Sequence, residues 1–173
     1  MLAKTYFVDQ LATKNILIIG GGDGKDYKPF QQDLHGEYWE LSFAMLHLAQ
    51  RHLVNSQLVF CLGECQPSVG KYFDEVWLHF VLDTMTDEEI ASLMNQIRGS
   101  LNPGGRICLV DFFKPKSIRQ QFANWCMISF FRLIVNHKRK NLPDYDQILM
   151  AKNWKKVAQK EFLGGWVKSQ LWE

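Results

Sequence analysis

No stretch of this 173-residue chain reaches the roughly 20 consecutive apolar residues that a bilayer-spanning helix needs. Its most apolar run, residues 126–135, is broken by Arg132. The amino terminus, Met-Leu-Ala-Lys-Thr-Tyr-Phe, has no apolar core of signal-peptide length. Neither a membrane span nor a secretory leader is therefore expected. Cysteine is scarce: Cys61, Cys65, Cys108 and Cys126 form no C-x-x-C pair. That argues against a disulfide framework and a paired-ligand zinc site, so no metal is expected and a reduced, cytoplasmic protein is the simplest reading. No internal repeat or low-complexity tract is present. An apolar share of 47% is ample for a folded core. Net charge is only +2, but it is unevenly placed. Residues 1–111 hold 8 Lys/Arg against 14 Asp/Glu, and residues 112–173 hold 12 against 4. The basic second part suits either an anionic partner or a lysine-rich solvated surface.

What the chain does have is one stretch around which the rest is organised, residues 15–24, Asn-Ile-Leu-Ile-Ile-Gly-Gly-Gly-Asp-Gly. A short unbroken apolar run ending in glycine fits a strand buried on both faces of a parallel sheet. Gly20, Gly22 and Gly24 tolerate positive φ and let a ligand lie against the backbone. A helix opening near Gly24 would aim free N–H groups over the loop. Strand, glycine turn and helix make a nucleotide cradle, although a bare tight turn has the same pattern.

The chain then alternates. Strands are expected at residues 16–19, 37–41, 57–62, 74–80 and 106–112. Helices are expected at 24–34, 43–53, after Thr86, at 117–136, and from Pro143 to about 151. Ser42 is a plausible N-cap, and Thr86-Asp-Glu-Glu89 reads as a capping box. Asn102-Pro-Gly-Gly105 should stop the helix before the fifth strand. At the end, residues 156–162 and 166–172 flank Gly164-Gly165 and read as an antiparallel hairpin. The expected fold is a single α/β domain: a doubly wound, mostly parallel seven-stranded sheet with a C-terminal antiparallel hairpin. Its expected parts are an arm (1–14), a cofactor-binding half (14–112) and a substrate-side region (113–173).

Five motifs in this order resemble the class I S-adenosylmethionine-dependent methyltransferases. They are residues 16–24, Glu40-Leu-Ser-x-x-Met45-Leu, Gly63-Glu64-Cys65, Phe73-Asp-Glu-Val76 and Leu101-Asn-Pro-Gly-Gly-Arg106. The resemblance implies S-adenosyl-L-methionine as cofactor, held by Gly20, Gly21, Gly22, Asp23 and Gly24. Glu40 would accept from the ribose hydroxyls, with Leu41 beside it. Gly63, Glu64 and Cys65 would lie near the adenine, and Met45 and Leu62 would pack on its faces. Ile18 departs from the family, which carries an acid there to support the cofactor's amino group. Asp23 either replaces that acid or is a turn residue. The arm is also short, so the site is either open or closed by residues 117–136 or by a second subunit in a homodimer.

Methyl transfer is an in-line displacement that needs positioning and desolvation more than an acid–base array. Acceptor-side groups should lie where strands four and five end. His79 could take an acceptor proton and Asp111 could orient the acceptor; each could equally be structural. No nucleic-acid-methylating Asn-Pro-Pro-Tyr motif is present, so a small-molecule acceptor is expected, its anionic character suggested by the basic second part and by His137-Lys-Arg-Lys140. Two alternatives stand beside this one. An interaction or cofactor-binding module could keep the fold without transfer activity. A nicotinamide dehydrogenase would need a third glycine where Lys25 stands.

Overall fold

A computed structural model describes residues 3–8, 13–67, 70–121 and 141–173. The apolar run becomes β1 (Asn15–Ile19), whose Ile16, Leu17 and Ile18 have no exposed surface. A strand sealed on both faces must be covered by helices on both sides, and this one is. The chain continues through a 3-10 helix (Lys25–Asp33), β2 (His35–Glu40), α1 (Phe43–His52), β3 (Gln57–Leu62) and β4 (Phe73–His79). A short 3-10 turn (Leu82–Thr84), α2 (Asp87–Ser100) and β5 (Leu101–Phe112) follow. Among the described residues it closes with α3 (Tyr145–Ala151), β6 (Lys156–Phe162) and β7 (Val167–Trp172).

The sheet order is β3-β2-β1-β4-β5-β7-β6. All pairs from β3 to β5 are parallel, whereas β7 runs antiparallel to both β5 and β6. The expected seven-stranded, doubly wound sheet with a terminal hairpin is therefore present. One face packs Leu17, Val76, Leu78, Ile107 and Leu109 against Ile90, Leu93, Met94 and Ile97 of α2. The other packs Ile16, Ile18, Tyr38 and Trp77 against Tyr27 and Leu34 of the 3-10 segment and Leu46 and Ala49 of α1. The parallel strands all present their carboxyl ends, and the loops that follow them, along one edge, where ligands of such sheets bind.

Local signals account for the element ends. Ser42 caps α1 by accepting from the Met45 N–H, and Thr86 and Glu89 form the full capping box of α2. Two elements differ from the sequence reading. The helix after the glycine loop is 3-10, with Pro29, which has no N–H to donate, inside it. β5 begins at Leu101 rather than 106: Leu101 pairs with Phe73, and the ladder resumes only at Glu75 and Arg106. The Asn-Pro-Gly-Gly turn is thus an insertion within the strand, with Gly104 at φ 79°. The expected helix at 117–136 falls largely outside the described residues, as do Cys126 and the His137–Lys140 cluster.

Candidate active site

The loops after β1, β2 and β3 meet at the carboxyl edge. The Gly20 N–H donates to the Trp39 carbonyl (2.8 Å), and the Gly63 N–H to the Glu40 carbonyl (3.0 Å). Within the loop, Gly20, Gly22 and Gly24 hold φ of 67°, 71° and 72°. Gly21 is required for another reason: a Cβ there would lie 2.3 Å from the Tyr38 ring. A Cβ on Gly20 would fall 2.6 Å from Val81. A Cβ on Gly22 or Gly63, by contrast, would meet nothing within 4 Å. The loop is therefore packed from beneath and open above.

Glu40 joins these open positions. Its Oε2 accepts from the Gly22 N–H and its Oε1 from the Ser42 N–H, each at 2.9 Å. Each carboxylate oxygen keeps a lone-pair direction for a further donor. The Tyr38 hydroxyl donates to the Gly22 carbonyl (2.9 Å), so Gly22 is held at both its polar groups. Three apolar side chains border this edge and are left in water: Leu41 at 69%, Met45 at 43% and Leu62 at 53% exposure. Surface leucines are ordinary singly, but three apolar side chains at the ends of adjacent strands form an apolar rim beside a carboxylate.

The other sequence-predicted residues fall as follows. Asp23 Oδ1 accepts from the Lys25 N–H (3.1 Å), an Asx turn, and its carbonyl faces His52 Nδ1 at 2.8 Å. Glu64 stands exposed after Gly63. Cys65 packs against the α2-side core, and burial, with Glu37 and Cys61 adding, pushes its thiol up to about 12. Ile18 points into the α1-side core next to Tyr38 and Trp77 in register, where a carboxylate would be desolvated.

His79 is 1% exposed, with Nδ1 2.8 Å from the Tyr27 hydroxyl and its ring stacked on Trp77. Its Nε2 is buried without a hydrogen-bond partner among the described residues. Burial, reinforced by the Lys4 charge, lowers its pKa to about 3, so the ring is neutral at physiological pH. Asp111 is fully buried. It accepts from the N–H groups of Leu82 (3.1 Å), Asp83 (3.3 Å) and Phe112 (2.8 Å). Burial and the neighbouring Asp83 push its carboxyl upward against those three donors. Both residues thus sit beneath the loop that follows β4 and hold its shape.

Two parts of the site escape a sequence reading. Tyr38, two residues before Glu40, shares the period-2 pattern of any buried strand residue. Lys4 lies in the arm, yet its Nζ is 3.2 Å from Asp26 and above the rings of Tyr27 and Phe80. Among the described residues, no three His, Cys, Asp or Glu side chains are grouped to hold a metal ion. No helix of the described residues is long and apolar enough to cross a membrane.

A glycine loop, a strand-two carboxylate and a sheet ordered β3-β2-β1-β4-β5-β7-β6 together define a Rossmann-like methyltransferase fold. A family model described as methyltransferase domain matches residues 17–109, from β1 into β5, and the chain belongs to that family. No curated protein matches the sequence. Among solved structures it is similar to mitomycin 7-O-methyltransferase MmcR, with a TM-score of 0.74 and 13% identity over 99% of this chain and 52% of that one. It is also similar to an O-methyltransferase family 2 protein from Planctomyces limnophilus, in complex with apigenin, at 0.68 and 16% over 96% and 52%. The DhpI–SAH complex aligns at 0.66 and 13%, over 92% of this chain and 76% of that one. The chain spans about half the length of the first two.

Proposed function

We propose that this chain binds S-adenosyl-L-methionine and transfers its methyl group to a small-molecule acceptor. The carrying observation is Glu40: a carboxylate anchored by two backbone N–H groups, between the open faces of Gly22 and Gly63. The residues present fit the cofactor. Glu40 can accept from two vicinal hydroxyls of a ribose. Gly22 and Gly63 leave room for a ligand against the backbone. Leu41, Met45 and Leu62 offer an apolar rim for a flat base. The cofactor supplies a methyl group activated on a sulfonium; the protein's part is to bind it, orient it and exclude water.

The acceptor would approach the ends of β4 and β5, where Phe80, Phe112 and Trp166 form a chain of ring contacts with centroids 5.0 Å apart. His79 and Asp111 enter this reading as groups that position the loop after β4. The balance of 12 Lys/Arg against 4 Asp/Glu in residues 112–173 favours an anionic acceptor. A second reading, cofactor binding without transfer, is favoured by Ile18 in place of an acid and by the burial of both catalytic candidates.

Calorimetric titration with S-adenosylmethionine and S-adenosylhomocysteine, with NADH as control, tests the first part. Micromolar binding of the sulfur compounds alone is the expected result. Binding of NADH instead, or of none of the three by folded protein, would refute it. Turnover across an acceptor panel then separates transfer from mere binding.

A further inference from the structure

Position 18 holds a buried isoleucine, so the charged amino-acid end of the cofactor must find partners elsewhere. Asp23 is poorly placed for this, because its Oδ1 already receives the Lys25 N–H. Two residues past Gly24, however, Asp26 pairs with Lys4 of the arm at 3.2 Å. This is no open surface pair: the Lys4 side chain is 13% exposed and that of Asp26 30%. The Lys4 ammonium lies 5.4 Å from the Tyr27 ring centroid and 5.8 Å from that of Phe80.

These neighbours locate the pair between the two loops that frame the site. Tyr27 follows the glycine loop, with its N–H on the Gly24 carbonyl (3.0 Å). Phe80 follows β4, and the next residue, Val81, packs under Gly20. Phe80 itself is held at φ 58°, a costly conformation for a bulky residue and one that clusters at ligand sites. The Phe80 N–H is fixed on the Val110 carbonyl at 2.7 Å. The arm stays in place because Ala3 is buried beside Val110 and Val167.

We infer that Lys4 and Asp26 together form the subsite for the cofactor's zwitterionic α-amino-acid end, Lys4 taking the carboxylate and Asp26 the ammonium. The inference rests on the proposed cofactor binding and adds residues that no family motif supplies. Before binding, the two charges satisfy one another. On binding, each exchanges its partner for the matching ligand group, so neither charge is left buried alone. The arm thereby takes the place of the missing acid and closes one side of the site.

The test compares two ligands that share adenosine and sulfur. S-Adenosylhomocysteine carries the amino-acid end; 5′-methylthioadenosine lacks it. Each is titrated by calorimetry into wild-type protein, Lys4→Met and Asp26→Asn, substitutions that keep size and remove charge. Each variant should bind S-adenosylhomocysteine at least tenfold more weakly and 5′-methylthioadenosine within twofold of wild type. Retained binding of the second ligand is also the control that the variant is folded. Equal loss of both ligands, or undiminished binding of the first, overturns the assignment. Wild-type protein that binds neither ligand overturns the cofactor reading, and the assignment with it.

Discussion

Acid should destabilise this protein through one identifiable residue. His79 is buried at 1% exposure, and burial together with the nearby Lys4 charge sets its pKa at about 3. In the unfolded chain an ordinary histidine titrates near 6.5. Between these values the unfolded chain binds a proton that the native protein does not, so stability falls as pH falls through this window. The contribution is fully present above about pH 6.5 and is lost progressively towards pH 3. At about 1.4 kcal/mol per pH unit, the loss is roughly 2 kcal/mol at pH 5 and approaches roughly 5 kcal/mol near pH 3. Against a total of about 5–15 kcal/mol for a typical domain, that is enough to bring on acid unfolding.

The perturbation is His79→Asn. Asparagine does not titrate, and its amide can still meet the Tyr27 hydroxyl that now faces Nδ1 at 2.8 Å. It loses the stacking on Trp77, so stability at pH 7.5 should drop by about 1–3 kcal/mol. Urea unfolding at half-unit intervals from pH 7.5 to pH 4 measures both proteins. The wild-type-minus-variant difference should shrink as pH falls, and its slope below pH 6 belongs to His79, because carboxylates common to both cancel. A difference independent of pH would refute the argument. So would a native imidazole resonance of His79 that titrates near pH 6.

Other expectations follow from the same structure. Glu40→Ala removes the acceptor shared by Gly22 and Ser42; since a hydrogen bond to a charged group is worth about 1.5–3 kcal/mol, S-adenosylhomocysteine should bind at least about tenfold more weakly by calorimetry. Glu40→Gln should also weaken binding, because its one oxygen cannot serve both N–H groups now held at 2.9 Å. Glu75 is fully buried and receives Lys14 Nζ (2.7 Å), Arg106 Nη2 (2.7 Å) and the Trp77 indole N–H (2.9 Å). Glu75→Gln should cost about 2–4 kcal/mol in urea unfolding, below the full penalty for breaking a buried pair because both cations are partly solvated.

Much of the fold is legible along the chain, and the reason is local. The strand of residues 15–19 announces itself by four apolar residues that need no partner to be recognised as buried. The α2 cap is a contact between residues three apart, and the terminal hairpin is an alternation around Gly164-Gly165. Where the fold departs from the sequence pattern, competing local geometry decides: a proline within nine residues gives a 3-10 helix, and the Asn-Pro-Gly-Gly turn becomes an insertion in β5. Glu40 stands out because a carboxylate at a strand end, followed by a cap, is a pattern along the chain.

The rest depends on residues far apart in sequence, which side-chain type and spacing do not bring together. Tyr38 makes Gly21 obligatory by lying where its Cβ would be. Tyr27 meets His79 across 52 positions, and that depth, not the residue type, turns a candidate base into a neutral core group. Lys4 reads in the sequence as one charge in a short arm; only the arm's path over Val110 and Val167 carries it to Asp26. Sequence by itself determined the sheet, its glycine loop and the acid at the end of β2, because these rest on backbone conformation and periodic burial. The tertiary structure alone decided which charges face the site and which are buried beneath it, because solvation and pairing are set by neighbours that only the folded chain assembles.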